Sequence, residues 1–270
     1  MKIYPVSCWD DFEIQLRELE KILYEQKGEF PPLSSKYLFR GQGNASWSLE
    51  TTLDRFSSER PSLFDYYQYA FRASYRIVAF TGTKWNIPSV SEYKNWLDNH
   101  DSLNFSDFEP YEYYAYLRHH GFPSPLLDWT QSPYVAAFFA FRDMPKYAKE
   151  VAIFVYQEHP GVGKISSSNR PVIHRLGPYI GAHKRHFLQQ SQYTFCTEIV
   201  DGELHYAEHQ GVLGRDNQQQ DFFWKFIIPA SQRRSFLTQL NRMNINAFSL
   251  FGSEDSLIEA IVDADPGINL

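Results

Sequence analysis

The chain has 270 residues, with 26 Lys plus Arg against 32 Asp plus Glu and a formal net charge of −6. That length allows one large domain or two small ones around a sizeable core, and the acidic balance argues against broad attraction to nucleic acid or anionic lipid. Two cysteines, Cys8 and Cys196, give no disulfide framework or metal pattern, and no apolar run reaches the length of a signal peptide or a membrane span, so a cytoplasmic protein with no membrane attachment is expected.

Aromatic residues make up 17% of the chain, with 18 Tyr and 22 Phe, which points to an aromatic core and to rings available to line a cleft. Residues 10–26, DDFEIQLRELEKILYEQ, place Phe12, Leu16, Leu19 and Leu23 at helical spacing behind an acidic start. The loop KGEFPPLSSK follows, then YLFRGQ reads as a short strand ending at a glycine, which puts Arg40 at the end of a strand. From 63 to 80, Phe64, Tyr67, Phe71, Tyr75 and Val78 recur at near-helical spacing and are expected in the core. Thr81 to Ser106 reads as loop and short helix around Trp85 and Trp96.

The segment DFEPYEYYAYLRHH is predicted helical, with Pro110 tolerated in its first turn and Gly121 then Pro123 as its stop signal. Leu126 to Thr130 suits a buried strand, and Ser132 followed by Pro133 is a cap and first-turn pair that opens a helix through Phe141. In that order Asp128 and Thr130 share one face of the strand, and Leu127 and Trp129 share the other. A carboxylate among Leu, Trp and Phe has to be hydrogen-bonded, paired or functional, since burying it alone costs several kcal/mol. Thr130 and Ser132, at a strand end against a helix N-terminus, are placed where an anion can be received.

Val151 to Tyr156, VAIFVY, reads as a strand interior to a sheet. The stretches GVGKISSSNRP and GPYIGAHKR read as loop, with the capacity to form a mobile flap; GVGK lacks the spacing of a phosphate loop. YTFCTEIV alternates, with Tyr193, Phe195, Thr197 and Ile199 on one face and Thr194, Cys196 and Glu198 on the other. A strand over Phe222 to Ile228, a helix over SQRRSFLTQLNRM and a last helix capped by Ser253, Glu254 and Asp255 complete the chain. About five strands and six helices with no βαβ regularity predict an α+β fold with a mixed or antiparallel central sheet flanked by helices. A single domain is expected over residues 1–270, with its core in 37–262.

Two segments carry a family resemblance. YLFRGQGNASWSLETTLDR, with its Phe-Arg-Gly and Trp-x-Leu, and HHGFPSPLLDWTQSPYVAAFFAF, with His-Gly, Leu-Leu-Asp-Trp-Thr and Ser-Pro, resemble the two signatures of the FRG-domain family. The chain departs from that pattern at Ser124-Pro125, where the family has Thr-Arg, and in its tail, which lacks Phe-Pro-Asp after Leu-Phe. It also resembles, more distantly, mono-ADP-ribosyltransferases of the Arg-Ser-Glu type. In these an Arg on the first strand, a Ser-Thr-Ser-like strand leading into a helix, and a later Glu follow in order.

That second resemblance implies an ADP-ribosyltransferase-like fold and activity, with NAD as the substrate cofactor. The site then has to grip a pyrophosphate, fix the nicotinamide ribose and offer a carboxylate to the oxocarbenium-like ribose. Arg40 and Gly41 are implied on the pyrophosphate side, Asp128, Thr130 and His120 on the ribose side, and Glu198 or the Gln189-Gln190 pair at the catalytic position, with Gln190 the better fit to the FRG motif. The residues alone leave other readings open: an Arg40–Asp128 brace, Glu198 as a solvated strand residue, and His119 and His120 as partners of a helix dipole. The nine histidines show no HExxH-like spacing, so no metal is expected. The resemblances imply a toxin acting on RNA or protein in a toxin–antitoxin or phage-defence system, with an antitoxin or chaperone as partner. The alternatives are a non-enzymatic ligand-binding or interaction module and an NAD-independent ribonuclease using His120 with Arg40.

Overall fold

Val151 to Gln157 are buried without a break, as expected of a strand covered on both faces. The computed structural model describes residues 1–25, 36–99, 105, 110–158, 170–176, 184–213 and 221–264. Its strands are β1 (Lys2–Pro5), β2 (Leu38–Gln42), β3 (Leu127–Thr130), β4 (Glu150–Glu158), β5 (Val172–Leu176), β6 (Ser191–Val200), β7 (Glu203–Tyr206) and β8 (Asp221–Pro229). The helices are α1 (Trp9–Glu25), α2 (Thr52–Phe56), α3 (Leu63–Thr81), α4 (Val90–Asn99), α5 (Tyr111–His119), α6 (Pro133–Arg142), α7 (Lys184–Leu188), α8 (Gln210–Leu213), α9 (Arg233–Arg242), α10 (Ala247–Phe251) and α11 (Glu254–Ala264).

The eight strands make one sheet in the order β1-β8-β4-β2-β3-β6-β5, with β7 also paired to β6. β1 runs parallel to β8 and every other pair is antiparallel, so the fold is α+β with a mixed sheet. Alternation along β4 sorts the core. Val151, Ile153 and Val155 pack with Phe12, Phe138, Phe141 and Phe236 from α1, α6 and α9, whereas Ala152, Phe154 and Tyr156 pack with Leu38, Leu127 and Trp129. A third cluster, rich in tyrosine, joins α3, α4 and α5 to Tyr193 and Phe195 of β6.

The predicted helix–turn–strand–helix order around Asp128 is the observed one. Gly121 closes α5 with a φ of 82°, and the Ser132 hydroxyl caps α6 by accepting from Val135 N at 3.3 Å, with Pro133 at the first turn. Three strands were not foreseen. β1 and β7 have only four residues each and no buried alternation, and β5 lies inside a stretch whose Gly, Ser and Pro content reads as loop. Arg40 also differs from expectation: β2 continues through Gly41 and Gln42, which pair with Ile153 and Ala152, so Arg40 is mid-strand. Of the stretches read as a mobile flap, 161–171 and 177–185, residues 161–169 and 177–183 lie outside the described residues, and Lys184 and Arg185 open α7 instead of continuing a loop. No helix among the described residues is long and apolar enough to cross a membrane.

Candidate functional site

β2 and β3 pair at one position, Phe39 opposite Thr130. The neighbouring acceptor on β3 is taken by a side chain: Arg40 Nη1 donates to the Asp128 carbonyl at 2.8 Å and lies 3.7 Å from Asp128 Oδ2. The Asp128 carboxylate is held more closely by Arg118, from the last turn of α5. Arg118 Nε donates to Oδ1 at 3.2 Å and Nη2 pairs with Oδ2, a two-point fork. The third guanidinium nitrogen, Nη1, donates to Thr52 Oγ1 at 3.0 Å, and the same oxygen accepts from Ser124 N at 2.9 Å. The helix end, the turn after it and the start of α2 are therefore tied to one carboxylate.

Burial pushes the Asp128 carboxyl up, but the Arg118 guanidinium, with Arg40 and His119 behind it, overrides that and holds the group below the usual carboxylate range. Asp128 is ionised at neutral pH. Arg40 is pushed down to about 10 by burial and by the neighbouring Arg118, against the pull of Asp128, so it stays charged. Its Nε is buried with no hydrogen-bond partner among the described residues.

These groups open into a cleft of about 370 Å³ whose lining includes Phe39, Arg40, Gly41, Arg118, His119, Asp128 and Thr130. Its far wall comes from residues late in the chain: Arg185, Gln189, Ser191, Tyr193 and Phe251. Thr130 Oγ1 donates to the Gln189 carbonyl at 2.7 Å and accepts from Ser132 N at 3.1 Å. Arg185 stacks over Phe251, with 5.6 Å to the ring centre. At the rim His119, His186 and Tyr193 converge, with Nε2 to Nε2 at 2.6 Å and the Tyr193 hydroxyl 3.0 and 3.3 Å from the two nitrogens. Burial, with Asp128 adding to it, pushes the Tyr193 phenol far above its ordinary value.

Residues 35–149 match the family model described as FRG domain. Over that stretch, which is under half of the chain, the protein is similar to the FRG domain. No curated protein and no solved structure matches the chain. The FRG match includes Arg40, Gly41, Arg118, His119, Asp128 and Thr130, and it ends before the far wall of the cleft begins.

Of the residues singled out in the sequence, Arg40, Gly41, Asp128 and Thr130 all line the cleft. Glu198, Gln190 and His120 do not. Glu198 stands opposite His205 where β6 pairs β7; it is roughly 16 Å along the strand from Tyr193 and on the other face. Gln190 sits in the turn before β6 with a φ of 48°, its carbonyl accepting from Gln131 N, and it is the adjacent Gln189 that reaches the cleft. His120 caps α5 and packs on Tyr116, 4.3 Å between ring centres, leaving His119 to face inward. The N-terminus of α6, expected to receive an anion, has its first donors spent on Thr130 and Ser132.

Arg118, Tyr193 and Phe251 were not singled out for the site. The FRG resemblance pointed to a missing arginine at Ser124-Pro125; Arg118, in the last turn of the helix before it, brings a guanidinium to Asp128. Basic residues at a helix end read equally well as dipole partners, and that masked the signal.

Proposed function

We propose that the cleft binds NAD and that the protein is an ADP-ribosyltransferase-like enzyme acting on a macromolecular acceptor, RNA or protein, in a toxin–antitoxin or phage-defence setting. The observation that carries the binding part is Arg40. Its charged guanidinium lines the open cleft together with that of Arg118 and favours an anionic ligand there, and a pyrophosphate fills that role. Phe139 and Phe251 offer apolar surface to a base or nicotinamide ring.

In this reading the C1′–N bond of the nicotinamide ribose breaks and nicotinamide leaves with the electron pair. The acceptor's oxygen or nitrogen lone pair then forms the new bond at C1′ and gives up its proton. Of the two carboxylates that line the cleft, Asp128 and Asp143, Asp128, kept ionised and fixed by Arg118, is the one assigned to stabilise the cationic ribose; Glu198 lies too far away for that task. The defence setting rests on the family resemblance alone.

The Arg118–Asp128 fork also favours a second reading, a binding module, because a carboxylate with both oxygens engaged by arginine is well suited to bracing. One experiment separates the two. Purified protein is incubated with labelled NAD and a cell extract, and the product is divided between protease and ribonuclease, with Arg40→Ala as control. Label lost in the variant supports transfer, and its sensitivity names the acceptor class. Unlabelled extract with no nicotinamide released would leave the binding module standing.

A further inference from the structure

His119, His186 and Tyr193 come from three elements, α5, α7 and β6, and their polar atoms meet at one point. The edges of the triangle are 2.6 Å between the two Nε2 atoms, 3.0 Å from the Tyr193 hydroxyl to His119 and 3.3 Å to His186. Hydrogen bonds within the triangle cannot satisfy all three of its edges. A neutral ring nitrogen either donates a hydrogen or accepts with its lone pair, so a triangle of two such nitrogens and one hydroxyl satisfies two edges at most. The shortest edge is the one between the two nitrogens, and it is below the usual range of a bond involving N–H. All three atoms can present lone pairs to one centre, and a triangle of this size can be spanned by a cation at the roughly 2.0–2.1 Å of a zinc–imidazole bond.

We propose that His119 Nε2, His186 Nε2 and the Tyr193 oxygen form a binding site for a first-row divalent cation of the zinc and cobalt type. Imidazole donors select such metals over calcium and magnesium. To reach tetrahedral spacing of about 3.3 Å the two nitrogens separate by several tenths of an ångström, a movement open to His119 because it stands exposed at the end of its helix while His186 and Tyr193 are buried. The imidazole that carries its hydrogen on Nε2 transfers it through solvent to Nδ1, so no net charge is lost by the protein. Tyr193 keeps its phenolic proton and serves as a neutral oxygen donor. His119 and Tyr193 both line the cleft, so the remaining coordination position faces the ligand space next to Asp128. Among the described residues no three His, Cys, Asp or Glu side chains gather into a metal cluster; the third donor here is a phenol. Sequence spacing misses it because the ligands lie at 119, 186 and 193 on separate elements.

The proposal is independent of the NAD reading and is tested without it. Untagged, chelator-treated protein is titrated with Co²⁺, followed by visible absorption, and with Zn²⁺, followed by calorimetry. One equivalent with a tetrahedral cobalt spectrum is expected. His119→Gln and His186→Gln each weaken binding by on the order of 1000-fold, more than the roughly 10–100-fold that loss of an outer partner costs. Tyr193→Phe weakens it less, by roughly 10-fold, and His120→Gln leaves it unchanged. Because His119 is exposed, its variant keeps the thermal midpoint of the metal-free protein, so loss of binding there is not loss of fold. Wild-type protein that takes up neither metal, or either His119→Gln or His186→Gln binding as tightly as wild type, would overturn the site.

Discussion

A Cβ placed on Gly41 would lie 1.9 Å from the carbonyl oxygen of Ala136 and 2.6 Å from the amide of Ala140. α6 therefore runs against β2 backbone to backbone, and the glycine of the Phe-Arg-Gly motif is required by that approach. Gly41 lines the cleft as well, but its demand on the sequence comes from the helix. Gly41→Ala is expected to destabilise the protein by at least about 3 kcal/mol, at the upper end of core overpacking because the clash is with main chain. Urea unfolding against wild type checks this, and a loss below about 1 kcal/mol would refute it.

The Arg118–Asp128 fork predicts strong coupling. Arg118→Ala leaves an ionised, half-buried carboxylate without its fork partner and with Arg40 and His119 as its remaining cationic neighbours, and Asp128→Asn leaves two guanidiniums facing each other. Each single variant is expected to lose about 1–3 kcal/mol and the double variant less than the sum. A double-mutant cycle in urea reads the difference directly, and additive losses would show that the fork carries no coupling.

Behind β3 a fixed chain of hydrogen bonds predicts a pH effect. Trp129 Nε1 donates to Thr194 Oγ1 at 2.8 Å, and the same hydroxyl is hydrogen-bonded to His209 Nε2 at 2.9 Å. His209 is fully buried, and burial, with Arg40 adding to it, pushes its ring down to about 3 from 6.5. The folded protein thus holds His209 neutral while the unfolded chain protonates it. The contribution is complete above about pH 6.5 and is lost as pH falls towards 3, at up to about 1.4 kcal/mol per pH unit. His209→Gln should flatten the stability curve across that window; an unchanged slope would remove His209 as its source.

Activity, if it is transfer from NAD, should follow the cleft and ignore β7. Asp128→Asn is expected to lower label incorporation by on the order of 100-fold or more, the scale of losing a group that stabilises developing charge, whereas Glu198→Gln stays within about twofold. The reverse order would return the catalytic carboxylate to Glu198.

The sequence was most legible where local rules decide structure. Gly121, Ser132 and Pro133 set the corner around Asp128, and the apolar run from Val151 to Tyr156 marked the central strand. Arg40, Gly41, Asp128 and Thr130 were found by motif, and all four line one cleft. What escaped was set by distance along the chain. Tyr193 was readable as a strand residue and Phe251 only as the Phe of the Leu-Phe tail, and only the pairing of β3 with β6 and the docking of α10 bring them to the cleft with Asp128. Glu198 looked right because alternation gave it a polar face; the same alternation, counted from Tyr193, turns it away from the cleft. Gln190 missed the cleft by one residue, because its backbone takes the left-handed turn that delivers Gln189.

The sheet order has a consequence for how the protein is made. β1 cannot pair until β8 has been synthesised, and β3 waits for β6 to close its second edge. Neighbours so distant along the chain fold slowly and late. A nascent chain that has released Arg40, Arg118 and Asp128 has released only one wall of the cleft; the other arrives with Gln189, Tyr193 and Phe251. Whatever the cleft takes up, it can do so only after Phe251 has been added to the chain.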